Sequence, residues 1–271
     1  MNSQPQFTLH APRSTLHEHF RIGSVPYLNA RPLIYGIEPR VSLHAPSQLA
    51  DLLRAGQLEV GLVPIVECLA HDRYVVLEGA SISCRGPVFS VVLAHHGPVR
   101  NARKIFVDQA SRSSILLLEV ILRERFGMAP ELSPLTSYDF QNAPDTLLLI
   151  GNAAIKFRAA RPDYEFLDLG QAWWDLTRLP FVFAAWAFQP AAAKPELIHL
   201  LLQTKENGLR FIDEIVERET EFTEDFRRQY LTRHIRFELG AEEKKGVATF
   251  RGFLQKSKDF RRVHDLRYIT G

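Results

Sequence analysis

The chain has 271 residues, 46% of them hydrophobic, enough for a sizeable core in one or two domains. Its 33 basic and 31 acidic residues leave a formal charge of +2, so no broad attraction to nucleic acid or an anionic membrane is expected. Cys68 and Cys84 are not spaced as a metal pair, the ten histidines show no H-E-x-x-H, and no apolar run approaches the ~18 residues of a membrane helix.

Residues 1–19 lack the apolar core of a signal peptide and are expected to form a flexible N-terminal tail, which places the protein in the cytoplasm. Phe20 to Val25 predicts a short strand. It runs into Pro26 to Asn29, a loop at the strand's C-terminal end, the edge where open α/β sheets hold ligands. Arg31 to Gly36 predicts a short helix, and Val41 to Ala45 a second strand. Ser47 is expected to cap a helix over Gln48–Ala55, stopped by Gly56. Leu58 to Val63 is the next strand, and a helix follows Pro64 through Leu69.

Tyr74–Leu77 and Ala80–Ser83 read as extended pieces, with a turn at Gly86-Pro87. Val88 to Ala94 is rich in β-branched residues and predicts a central strand. Ile105–Val107, Thr146–Ile150 and Glu165–Leu167 then alternate with helices over Ser113–Phe126, Asn152–Ala160 and Gly170–Leu176. Phe181 to Phe188 is another apolar strand. From Lys194 the charge rises and helical spacing takes over, giving helices over Glu196–Glu217, Thr223–Thr232 and Glu242–Lys256. The alternation argues for an α/β protein with helices on the faces of mixed or parallel sheets. The apolar runs at 88–94 and 181–188 are expected to cross between two lobes. Lobe one is then residues 20–93 plus 189–271, lobe two residues 94–188, with a central cleft between them.

The richest stretch for chemistry is Ile105 to Phe126. A short strand, a hydroxyl-rich loop and a helix point unpaired backbone N–H groups and the positive end of a helix dipole at an anion. One serine suffices for an N-cap; Ser111, Ser113 and Ser114 together suggest a carboxylate cradle. Tyr27 and Asn29 sit at a strand's C-terminal end, where an asparagine either orients a ligand or closes a turn. Ser83 and Ser90 flank a Gly-Pro turn with no histidine nearby to act as base, so a serine nucleophile is unsupported. Arg85 is either an anion partner or a solvated charge. Asn152 is expected to cap a helix. Trp173 and Trp174 either line a cleft or fill the core, Trp186 reads as core, and His95-His96 as a solvated hinge pair. No phosphate loop, dinucleotide fingerprint, zinc pattern or nucleophile elbow is present. A small anionic ligand handled without a cofactor fits these features.

Six stretches, in order, together resemble one family: the chorismate dehydratases of the futalosine route to menaquinone. They are Arg21 to Asn29 (RIGSVPYLN), Leu58 to Pro64 (LEVGLVP), Ser81 to Ser90 (SISCRGPVFS), Ser111 to Ser114 (SRSS), Leu148 to Asn152 (LLIGN) and Asp168 to Trp186. The resemblance implies a two-lobed, periplasmic-binding-protein-like fold of type 2. It also implies a hydro-lyase reaction, loss of water from chorismate to give 3-[(1-carboxyvinyl)oxy]benzoate without metal or organic cofactor. Carried onto matching positions, Asn29 and Ser90 are the catalytic candidates. Tyr27, Ser83, Ser111, Ser113, Ser114 and Asn152 are the substrate-binding ones. The partner is a dianionic small molecule, with no nucleic acid or membrane. Two departures stand out: Asn152 where the family usually has Asp, and Arg178 where it usually has Gly. The competing readings are a cytoplasmic binding protein or sensor without turnover, and the related 1,4-dihydroxy-6-naphthoate synthase.

Overall fold

The computed structural model describes residues 20–109, 111–256 and 262–271, so the tail expected at 1–19 lies outside the described residues. The strands are β1 (Ile22–Ser24), β2 (Val41–Leu43), β3 (Val60–Pro64), β4 (Val75–Cys84), β5 (Val91–His95), β6 (Lys104–Val107), β7 (Glu131–Pro134), β8 (Thr146–Ile150), β9 (Glu165–Asp168), β10 (Phe181–Phe188) and β11 (Arg267–Ile269). The helices are α1 (Pro46–Arg54), α2 (Ile65–Ala70), α3 (Arg112–Ile121), α4 (Gly151–Ala160), α5 (Leu169–Thr177), α6 (Pro195–Arg210), α7 (Ile212–Arg218), α8 (Glu224–Gln229) and α9 (Ala241–Gln255). No helix among the described residues is long and apolar enough to cross a membrane.

Each lobe holds one mixed sheet. The first runs β11-β4-β10-β3-β1-β2 and the second β7-β6-β8-β5-β9. In the first sheet β1 pairs in parallel with β2 and β3, and β10 runs antiparallel to β3 and β4. In the second, β6 pairs in parallel with β7 and β8, and β5 runs antiparallel to β8 and β9. The antiparallel strands have a common cause. A chain arriving from the other lobe enters at the C-terminal edge of the parallel strands, so its first strand must run back the other way.

That geometry corrects the expected crossings. The runs at 88–94 and 181–188 do not span the lobes; they supply β5, wholly in the second sheet, and β10, wholly in the first. The chain crosses just before each, at 85–90 and at 178–180. The runs are apolar because each strand is flanked on both sides and buried along most of its length.

Local chemistry explains smaller differences. The two extended pieces at 74–77 and 80–83 are one strand, β4, interrupted by a bulge. Ala185 pairs with Ser81 and Ala187 with Val76, and Gly79 takes φ +85° in the gap. Helix α1 starts at Pro46 after Ala45, not behind a Ser47 cap, because a proline fits the first turn where no N–H partner is needed. His95 is no solvated hinge: it is buried at the end of β5, opposite Thr146 and Glu165.

One core runs through both lobes, from Ile22, Leu62 and Trp186 to Leu93, Ile105 and Leu118. A second, of Val92, Leu147, Leu149 and Phe157, fills the other face of the second sheet. Val91 and Leu93 belong to the first core and Val92 to the second, as strand alternation requires. Trp173 is also core. Its ring packs edge-on against Phe181 and Phe250, and its Nε1 donates to Pro180 O at 3.2 Å.

Candidate functional site

The parallel strands β1, β3, β6 and β8 all end at the cleft, and the loops that follow them bring polar residues to one place. A cavity lies there, open to solvent on one side. Tyr27, Asn29, Ser90, Ser111, Ser113 and Ser114 all line it, from both lobes. Apolar walls come from Val25, Leu62, Ile82, Ile150 and Phe183. Among the described residues no charged side chain lines it. What polarity it has comes from hydroxyls, an amide and the helix starts at Pro46, at Ser111–Ser114 and at Gly151.

The hydroxyl loop does not give α3 a side-chain cap. Ser111 is the N-cap residue of α3, yet its side chain makes no capping bond. Ser113 reaches across the cleft, where its Oγ accepts from Val66 N–H at 3.4 Å. Ser111, Ser113 and Ser114 are all buried. The N–H groups of the first helical turn have no intrahelical acceptor, and Ser111, Ser113 and Ser114 of that turn line the cavity.

Across from this loop, three side chains form a chain of hydrogen bonds. Asn29 Nδ2 donates to Tyr230 Oη at 3.2 Å, and Tyr230 Oη donates to Ser90 Oγ at 2.7 Å. Asn29 Oδ1 is buried and has no partner in the protein. Tyr230 is 1% exposed, and burial holds its phenol proton well above the ordinary range. The phenol is therefore a neutral hydrogen-bonding group at any working pH. Tyr230 is a residue the sequence reading missed. It lies in a short π-helical segment, Tyr230–His234, where nothing in the local pattern marks it.

Ser90 sits after a strained turn. Phe89 has φ +64°, a conformation unfavourable for a bulky residue. The Asp168 carboxylate holds it there, accepting from Val88 N–H at 3.0 Å, from Phe89 N–H at 2.7 Å and from Gln171 N–H at 3.0 Å. Asp168 is thus both the N-cap of α5 and the anchor of the crossing loop. Burial nonetheless raises its pKa, outweighing these bonds.

Tyr27 closes another side of the cavity. Its pKa is pushed up to about 12, first by burial and then by the nearby Asp108 charge. Its ring lies on Gly151, whose φ is +57°. A Cβ there would stand 3.1 Å from Tyr27 Cδ1, so glycine is required both for the turn and for the contact.

Ser83 and Asn152 are not among the lining residues. Ser83 is buried between strands, its Oγ donating to Arg236 O at 3.2 Å. Asn152 does not cap α4, whose N-cap is Ile150. Its Nδ2 instead donates to Glu221, which Lys156 also contacts. Arg85 lies on the surface, 3.4 Å from Glu242 and over the Trp174 ring, so neither residue serves the cavity.

A family described as menaquinone biosynthesis matches residues 20–256. The chain is also 31% identical, over 219 residues, to a chorismate dehydratase from Thermus thermophilus, covering 73% of this chain and 80% of the relative. The chain belongs to the menaquinone biosynthesis family. Similar solved structures include a protein from Archaeoglobus fulgidus (TM-score 0.67, 16% identity, 89% of this chain and 98% of that one). Another is a Candida albicans protein with the generic periplasmic binding protein fold (TM-score 0.62, 12% identity, 92% and 96%). A third is the periplasmic aliphatic sulphonate binding protein of Escherichia coli (TM-score 0.61, 16% identity, 93% and 94%). At these identities the likeness is one of fold, and the fold of this menaquinone biosynthesis family member is periplasmic-binding-protein-like.

Proposed function

We propose that this protein is a chorismate dehydratase, converting chorismate to 3-[(1-carboxyvinyl)oxy]benzoate and water without a cofactor. The observation that carries the reading is the cavity itself. Residues from both lobes meet there, they are uncharged, and they are the ones a dianionic ring would need. A lysine or arginine buried beside an apolar wall costs several kcal/mol in lost hydration unless perfectly paired, by roughly the effective penalty per ion. Hydroxyls and helix-start amides avoid that cost, and each hydrogen bond to a carboxylate is worth about 1.5–3 kcal/mol. On this reading Ser111, Ser113, Ser114 and the first amides of α3 hold a carboxylate, and their position in the cavity lining supports it.

The chemistry asks little of the protein. The proton on the ether-bearing ring carbon leaves, its electron pair becomes a ring π bond, and the neighbouring C–O bond breaks. Hydroxide and proton together are the water lost, and the aromatic ring is the driving force. Ser90 serves as the donor to the departing oxygen, and Asn29 orients the ring. The lining residues include no carboxylate, histidine or lysine, and the Tyr27 phenol is held protonated, which favours a carboxylate of the substrate itself as proton acceptor.

A second reading is binding without turnover, which the sequence raises through Asn152, standing where the resemblance implies Asp. Its engagement with Glu221 outside the cavity lining argues that the exchange leaves the reacting centre intact. One assay separates the readings. Purified protein incubated with chorismate should yield the enolpyruvyl benzoate by chromatography. Chorismate bound but unconverted above the spontaneous background would overturn the dehydratase reading.

A further inference from the structure

We propose that Tyr230 is the positioning residue that fixes the hydrogen-bonding polarity of Asn29 and Ser90. It makes the pair read a ligand that presents a donor to Asn29 and an acceptor to Ser90. A phenol has one hydrogen. Asn29 Nδ2 has only hydrogens to offer, so Tyr230 Oη accepts there at 3.2 Å and must spend its own hydrogen on Ser90 Oγ, at 2.7 Å. Ser90, accepting from Tyr230, keeps its hydroxyl hydrogen for the cavity. Asn29, tied by its nitrogen, keeps Oδ1 as an unpartnered buried acceptor. A buried acceptor left empty is costly, and a ligand hydroxyl recovers that cost on binding. A carbon-bound hydroxyl meets both demands at once: its hydrogen goes to Asn29 Oδ1 and its oxygen accepts from Ser90.

The surroundings of Tyr230 support rigidity. It is held at the end of α8, its ring stacked on Phe226 with centroids 5.6 Å apart, and it touches two loops far away in sequence. The selected ligand class is a neutral secondary alcohol on a ring, as distinct from a ketone or a second carboxylate at that position. The kinetic part of the test rests on the dehydratase reading; the structural part does not.

The experiment compares wild type, Tyr230→Phe, Ser90→Ala, the double variant and Phe157→Leu. Crystal structures of wild type and Tyr230→Phe accompany kcat and KM for chorismate. Removing the phenol oxygen should lower kcat by about 10²-fold with a much smaller change in KM, because the groups remain but lose their aim. The double variant should lose less than the product of the two single losses, since both act through one chain. Phe157→Leu, in the core on the far face of the second sheet, should lower the melting temperature without lowering kcat, separating positioning from stability. In the crystal, Asn29 or Ser90 should turn from its wild-type orientation in Tyr230→Phe. Wild-type kcat in Tyr230→Phe, or losses in the double variant that multiply, would overturn the proposal. If wild type does not turn chorismate over, the dehydratase reading fails. The structures then decide alone: unchanged Asn29 and Ser90 side chains overturn the role of Tyr230, and turned ones uphold it. Tyr230→Met, which also lacks the hydroxyl, replaces the Phe variant if that one does not fold.

Discussion

Arg178 occupies the left-handed C-cap of α5, at φ +58°, with its side chain exposed. The conformation costs a non-glycine residue roughly 1–2 kcal/mol. Glycine there would lose about 0.5–1 kcal/mol through its freer unfolded chain. The first figure is the larger, so Arg178→Gly should raise the free energy of unfolding by about 0.5–1 kcal/mol in urea titration, with chorismate turnover unchanged. The same residue shows what is legible at this scale. The run of three serines was readable because a cap needs only one, and the Asn after the first strand because it follows a strand's C-terminal end. Tyr230 was not readable, since a tyrosine in a helical stretch is normally core and only the fold brings it to Asn29 and Ser90. Ser83 misled for the converse reason. A serine beside a Gly-Pro turn looks exposed, but here the turn lies one residue past the strand end and Ser83 faces Arg236 inside the sheet.

At the scale of elements, the crossing loop at 85–90 is the most heavily constrained segment. Asp168 grips its backbone from α5, and the Phe89 ring lies 4.3 Å from His234 and beneath Arg158. Burial lowers the His234 pKa below its ordinary 6.5, with Arg233 and Arg158 pushing the same way and Pro87 and Asp168 opposing. A base depressed on folding takes up its proton more readily when unfolded. Stability therefore falls as pH drops through about 6.5 towards the folded value, and levels off below it. His71 shifts in the same direction. His234→Gln should accordingly lose less stability between about pH 7.5 and about pH 5.5 than wild type, measured by denaturant unfolding at each pH. An equal loss would place the pH sensitivity elsewhere. Element type was readable wherever apolar runs were long, as at β8 and β10. Helix starts were read less well, because proline at Pro46 and a left-handed glycine at Gly151 set them in place of side-chain caps. Strands β7 and β11 escaped because each is short, with partly exposed residues and little alternation.

At the scale of the whole molecule, two polar contacts between the lobes flank the cavity. On one side Arg112, between Ser111 and Ser113, reaches Asp51 at 3.2 Å and Glu67 at 3.5 Å. On the other, Asn152 and Lys156 meet Glu221. Glu67 is 2% exposed but keeps Arg54 at 2.7 Å and Tyr74 at 3.2 Å if Arg112 is lost. The cost of Arg112→Ala is then that of an exposed pair, up to about 1 kcal/mol, not the larger cost of stranding a buried charge. It should raise KM for chorismate by up to about fivefold, with kcat little changed, and the difference should shrink in high salt. The two-lobed plan was readable from alternating strands and helices. Its crossing points were misplaced by a few residues, because an apolar run marks the first strand after a crossing and not the crossing itself. The most direct test of the account is a crystal structure of the Ser90→Ala variant with chorismate bound. Both carboxylates should be held by neutral donors, one of them by Ser111–Ser114 and the first amides of α3, with the ring hydroxyl at Asn29. A carboxylate paired with lysine or arginine, or a ring seated outside this cavity, would contradict it.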